Sequence, residues 1–325
     1  MLLKNRKIKI LFLVLFVLSS QLACTANKYR QPISKFQAAA AVVSADARMS
    51  FTESNRLNRN LLIKKLSRDK QFITTVELNK VQYFKPEELQ ARLDALDRLN
   101  EYVDLLVSIA NSDAPENISQ SATDLTGALG NLTNTVAGLQ GGVNSNFKGK
   151  TVNAFGLAGV IVSEVLKAFA QRKIKQGLKA AVSRGSQPIN DLIDAISKDL
   201  DALNLDYVAT FGRERDNFLK LYNCELNKVV RDPTFVACPA DATPFSQQTL
   251  GSYKEQFTSA IDTMDTLKAA NPLEALGKMK KAHTKIVLLA KSNSPADFAD
   301  AVAAIEDFAA AAKRLGDAVE KLKNS

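Results

Sequence analysis

Few side chains in this sequence are of the kinds that usually do chemistry: Cys24, Cys224, Cys238 and a lone histidine, His283. One histidine cannot build a usual zinc site, and no Cys-x-x-Cys spacing supplies thiolates instead. A Ser-His-Asp set has no G-x-S-x-G turn to present its nucleophile. His283 falls on the apolar stripe Leu276, Met279, His283, Ile286 and Ala290, so it is expected to be packed or partly exposed rather than to react. Glu87, Glu88, Asp94 and Asp97 read as an acidic first helical turn and a solvated face. The sequence therefore predicts a non-catalytic protein with no metal and no cofactor.

Asn144-Ser145-Asn146-Phe147-Lys148-Gly149-Lys150-Thr151 approximates the phosphate loop G-x-x-x-x-G-K-[ST]. Asn144 stands where the first glycine belongs. No preceding strand and no acidic magnesium partner is readable, so nucleotide binding is not expected.

The N-terminus is more specific. Lys4, Arg6, Lys7 and Lys9 precede an unbroken apolar run from Ile10 to Leu18, then Ser19, Ser20 and Gln21. That layout is a secretory signal. The run is too short for a bilayer, which needs about 20 apolar residues. Leu22-Ala23-Cys24 resembles the lipobox of bacterial lipoproteins, in which a small residue precedes a cysteine that is acylated and becomes the new N-terminus. The position three before the cysteine, aliphatic in that class, is Gln21. The resemblance implies a lipid anchor at Cys24. With Thr25 rather than Asp after it, it also implies sorting to the outer membrane. Ordinary cleavage after Ala26 is the competing reading. Removing Cys24 to the lipid leaves Cys224 and Cys238 as a pair. In an oxidising compartment that pair is expected to be a disulfide worth about 3 kcal/mol by chain entropy.

The formal charge of +9 falls to +5 once the four cations of the leader depart. Arg56, Arg59, Lys64, Lys65, Arg68 and Lys70 cluster around a single acid, Asp69. Lys167, Arg172, Lys173, Lys175, Lys179 and Arg184 cluster with none. Solvated helix faces are the first reading, and attraction to anionic headgroups the second. No groove-reading motif points to nucleic acid.

What must position these residues is helical almost throughout. Ser294-Pro295 opens a helix with Phe298, Ala301, Ile305, Phe308, Ala312, Leu315, Val319 and Leu322 at alternating three and four. That is a heptad seam, which wants a partner helix. The same spacing links Leu89, Leu93, Leu96, Leu99, Val103, Leu106 and Ala110 after Pro86. It recurs in Ile189, Ile193, Ile196, Leu200, Leu203 and Tyr207 after Pro188. Shorter stripes follow at Phe257, Ile261, Met264 and Leu267, and through His283. Phe36, Ala40, Val43, Leu57, Leu61 and Leu66 fit a further long helix. Residues 71–84 read as a helix end plus irregular linker. The fold expected is all-α: an elongated up-and-down bundle of about six to eight helices. Residues 1–23 are its leader, 24–33 a tether and 34–325 the bundle.

Residues 125–170 stand apart. Between Asp124 and Glu164 the only charges are Lys148 and Lys150, and eight of the chain's 14 glycines lie here. A small-residue helical hairpin is expected, either as the most buried layer of the bundle or as a membrane-inserting element. The second option is similar in plan to the α-pore-forming toxins of the cytolysin A type. It would place Val160 and Ile161 in the bilayer, and Arg172, Lys173 and Lys175 at the headgroups. The sequence thus favours a lipid-anchored interaction or structural protein of the bacterial cell envelope. Its expected partners are the membrane and another envelope protein, with no nucleic acid and no small-molecule substrate. A pore-forming role is the alternative.

Overall fold

A computed structural model describes residues 3–68, 71–111, 174–232, 238, 243–269, 271–292 and 294–324, with side chains from residue 29 onward except at 68, 80, 174–177, 180, 184, 267 and 318–324. Residues 125–170 with Val160 and Ile161, the phosphate-loop-like segment, Arg172 and Lys173 all lie outside the described residues.

Among the described residues the fold is all-helical. In chain order the helices are α1 (Leu3–Arg68), α2 (Thr75–Lys80), α3 (Pro86–Ala110), α4 (Ile174–Val230), α5 (Gln247–Ala269), α6 (Leu273–Ser292) and α7 (Pro295–Asn324). Pro86 and Pro295 sit at the first helical position, where a missing N–H costs nothing. Ser294 caps α7: its hydroxyl accepts from the Asp297 amide at 3.0 Å. Glu88 reaches back to the Lys85 amide at 3.0 Å at the start of α3.

Two boundaries differ from the sequence reading. Pro188 does not open a helix but lies inside α4, which begins at Ile174. Leu178, Ala181 and Val182 before it and Leu192 and Ile193 after it are all buried, and that packing offsets the hydrogen bond that proline removes. Residues 71–84 contain a short helix, α2, because Thr74 accepts from the Glu77 amide at 3.2 Å. This is a capping signal in a stretch otherwise rich in β-branched residues.

The chain forms two compact units. The first is Met1–Asp199 with Pro272–Arg314. In it α1 packs along α3, Phe36 meets Phe308 of α7 with centroids 5.4 Å apart, and Tyr29 meets Phe298 edge-on. Phe36, Ala40, Val43, Leu96, Leu99, Leu276, Met279, Ile305 and Phe308 make its core. The second unit is Leu200–Asn271 with Leu315–Ser325. Leu203, Tyr207, Phe211 and Phe218 of α4 are buried there, as are Leu250, Ala260 and Met264 of α5. Tyr222 packs edge-on against Phe257. No helix among the described residues is long and apolar enough to cross a membrane.

Candidate functional site: buried polar groups and the cysteine pair

The stripe of α3 read from sequence is only half of its buried surface. A second stripe, which shares Leu99 and Leu106 with it, runs Glu88, Arg92, Ala95, Leu99, Tyr102, Leu106 and Ile109, and every member is buried. The first stripe is buried from Leu96 onward, with Leu89 and Leu93 half-buried, and the second throughout, because α3 is covered on more than one side. The second carries the polar groups.

Tyr102 lies deepest. Its hydroxyl donates to His283 Nε2 at 2.9 Å, and His283 Nδ1 donates to Asn190 Oδ1 at 3.0 Å. The phenol and imidazole rings meet edge-on at 82°. Gly185 of α4 lies over the phenol, where a Cβ would come within 2.7 Å of Tyr102 Cε2. That approach requires glycine. Burial drives the His283 pKa down to about 4 and raises that of Tyr102. Both groups are neutral near pH 7, and each ring nitrogen of His283 is already engaged. One turn along the same α4–α6 seam, Lys280 bridges both oxygens of Asp194 at 2.6 and 2.8 Å.

Arg92 is the second polar centre. Its Nη2 meets Asp199 Oδ2 at 2.8 Å, and its Nη1 donates to the Glu88 carbonyl at 2.8 Å. The guanidinium carbon stands 4.0 Å from the Phe84 ring centroid. Burial lowers the Arg92 pKa, and the charges of Asp199 and Glu88 oppose that shift. The charge is paired, hydrogen-bonded and stacked, the conditions under which an arginine can be buried.

The second unit holds the cysteines. Cys224 of α4 and Cys238 have Cα atoms 5.3 Å apart, the spacing of a disulfide, and their sulfurs are joined. The connection is fixed at other points too. Arg231 takes a positive φ of 55° as α4 ends, and the Asp232 amide donates to Asn227 Oδ1 at 2.6 Å. Lys228 donates to Thr243 at 3.0 Å, and buried Glu225 accepts from the Ser246 amide at 2.7 Å.

Cys24 falls within α1, and Lys175 within the first turn of α4. Their side chains lie outside the described ones. No group of three metal-binding side chains occurs among the described residues. A small apolar cavity of about 10 Å³ lies among Tyr29, Ile33, Leu178, Leu289, Phe298 and Ile305, room for one water-sized sphere. Chemically, the buried groups can order the core but do not meet a substrate: His283, Tyr102 and Arg92 are 0, 1 and 2 % exposed. Sequence reasoning placed His283 on an apolar stripe, packed or partly exposed, where the structure buries it wholly, and missed Tyr102, Asn190, Arg92 and Asp199. The signal was the second 3–4 stripe of α3, with polar residues at buried spacing. Compared with known proteins, the chain matches no family model, no curated protein and no solved structure.

Proposed function

We propose that this chain is an exported bacterial lipoprotein, anchored by an acylated Cys24, whose helical body acts in the cell envelope by contact rather than catalysis. The observation that carries the reading is the N-terminal layout: a basic stretch, the apolar run from Ile10 to Leu18, and Leu22-Ala23-Cys24. The Cys224–Cys238 geometry supports it, because disulfides persist in oxidising compartments such as the periplasm. The inward-facing chemistry supports the non-catalytic half. The one imidazole of the chain is sealed, neutral and saturated with hydrogen bonds.

Metabolic labelling with palmitate tests the anchor. Label is expected on the wild-type protein and none on Cys24→Ala. Label that persists in the variant, or is missing from wild type, leaves plain secretion instead.

A further inference from the structure

We propose that the C-terminal end of α1, with residues 71–76, docks on an anionic lipid surface. In this first unit the helix ends at Arg68, and the chain then makes an excursion fixed at both ends. It leaves with the Gln71 amide on the Leu66 carbonyl at 2.9 Å. It returns where Asn55 clamps Phe84 through two bonds, Nδ2 to the carbonyl at 2.8 Å and the amide to Oδ1 at 2.9 Å. Phe84 is itself buried against Phe51. Between these fixed points the chain holds large apolar side chains out in water. Phe72 is 93 % exposed, Val76 60 % and Ile73 45 %. Such exposure on a pinned segment is costly unless something covers it.

Charge says what covers it. Residues 51–85 contain eight cations, Arg56 through Lys85, against the three acids Glu53, Asp69 and Glu77. That excess of five equals the formal excess of the whole chain beyond its leader. This excess lies beside the projecting apolar side chains; the chain's other run of cations, acid-free from Lys167 to Arg184, lies elsewhere. Arg56, Arg59, Lys64 and Lys65 are all exposed. They are spread around the helix end rather than aligned along one groove, and residues 71–76 are exposed at every position. A protruding apolar end ringed by cations suits a headgroup layer. Phe72, Ile73 and Val76 enter the acyl boundary, and the basic side chains meet phosphates. From Tyr29 to Arg68 α1 runs about 60 Å, so this end is well separated from the acyl group proposed at Cys24.

The test uses the mature protein taken from its envelope and placed on phosphatidylcholine vesicles. Dye-loaded vesicles containing phosphatidylglycerol are then added, and their capture is measured. Flotation with the first vesicles reports the anchor by itself; protein that does not float is assayed directly by cosedimentation with the phosphatidylglycerol vesicles. The docking reading, which needs the export reading only to bring the chain to lipid, thus stands or falls separately. Capture is expected for phosphatidylglycerol vesicles and not for neutral ones, and it should weaken with salt. Phe72→Ser should lower it about tenfold or more, and Lys65→Gln about fivefold. Both residues are exposed, so the melts should not change. Equal capture by neutral vesicles, capture unchanged in Phe72→Ser, or no capture at all would overturn the proposal. So would Phe72-dependent retention of an acidic envelope protein without any vesicle binding.

Discussion

In the first unit Arg92, Asp199, Tyr102, His283 and Asn190 are held by hydrogen bonds, an ion pair and ring contacts alone. In the second, the connection after α4 is held by a covalent link between Cys224 and Cys238. The difference follows the depth of the two cores. Leu96, Leu99, Leu106, Met279 and Phe308 in the first unit keep no exposure at all, whereas the core side chains of the second run from 2 % at Leu203 to 9 % at Phe218 and Met264. A deep core excludes water, so polar groups within it are strongly ordered once paired. A thin core supplies less, and a cross-link that removes freedom from the unfolded chain makes up the difference.

The largest effect expected on this contrast comes from Asp199→Ala. It leaves the Arg92 guanidinium buried without its carboxylate, at a cost of about 3–5 kcal/mol in chemical unfolding. Replacing both partners, Arg92→Met with Asp199→Leu, should recover most of that. A double variant as unstable as the single one would mean that the pair is not what Asp199→Ala breaks.

Cys224→Ser, or reduction, should cost about 3 kcal/mol, since the two cysteines lie 14 positions apart in sequence. The loss should be confined to the second unit. Amide exchange is expected to speed up in α5 and leave α3 and α6 protected. Equal acceleration in both units would merge what the comparison separates.

Acid comes next. The His283 pKa is about 4 in the folded protein, below its ordinary 6.5, so the unfolded chain binds the extra proton first. Stability is therefore complete above about pH 6.5 and falls as pH drops toward 4, by up to about 3 kcal/mol. His283→Gln should flatten that part of the profile. A wild-type melt independent of pH between 6.5 and 4 would contradict a sealed neutral imidazole. Tyr102→Phe is the smallest change. It removes one donor from His283 Nε2 and should cost about 1–2 kcal/mol. It should also leave Gly185 its close approach to the ring.

Much of the architecture was legible in the sequence. The seam Ile189 to Tyr207 buries at every position read, and in the seam that opens at half-buried Phe298 the positions from Ala301 to Leu315 bury, because regular 3–4 spacing on a long helix leaves one face for a partner. Pro188 misled, since a proline flanked by well-packed turns need not start a helix. Thr74 and Glu77 were readable as a cap but stood among strand-forming residues. The polar centre was legible only in part. His283 sat on an obvious apolar stripe, but its partners Tyr102 and Asn190 come from helices 181 and 93 residues away in sequence. Nothing local announces that pairing. Arg92 was hidden for another reason: an arginine is counted with the solvated face unless the residues at its own spacing are seen to be buried. The cysteine pair was found by subtraction, which worked because only three cysteines exist.

The central claim, export with acylation at Cys24, is tested most directly by the mass of the N-terminal peptide of protein extracted from native membranes. A peptide that begins at Cys24 and carries the added mass of acyl chains is expected. A peptide beginning at Asn27 without modification, or one that retains Met1, would contradict it.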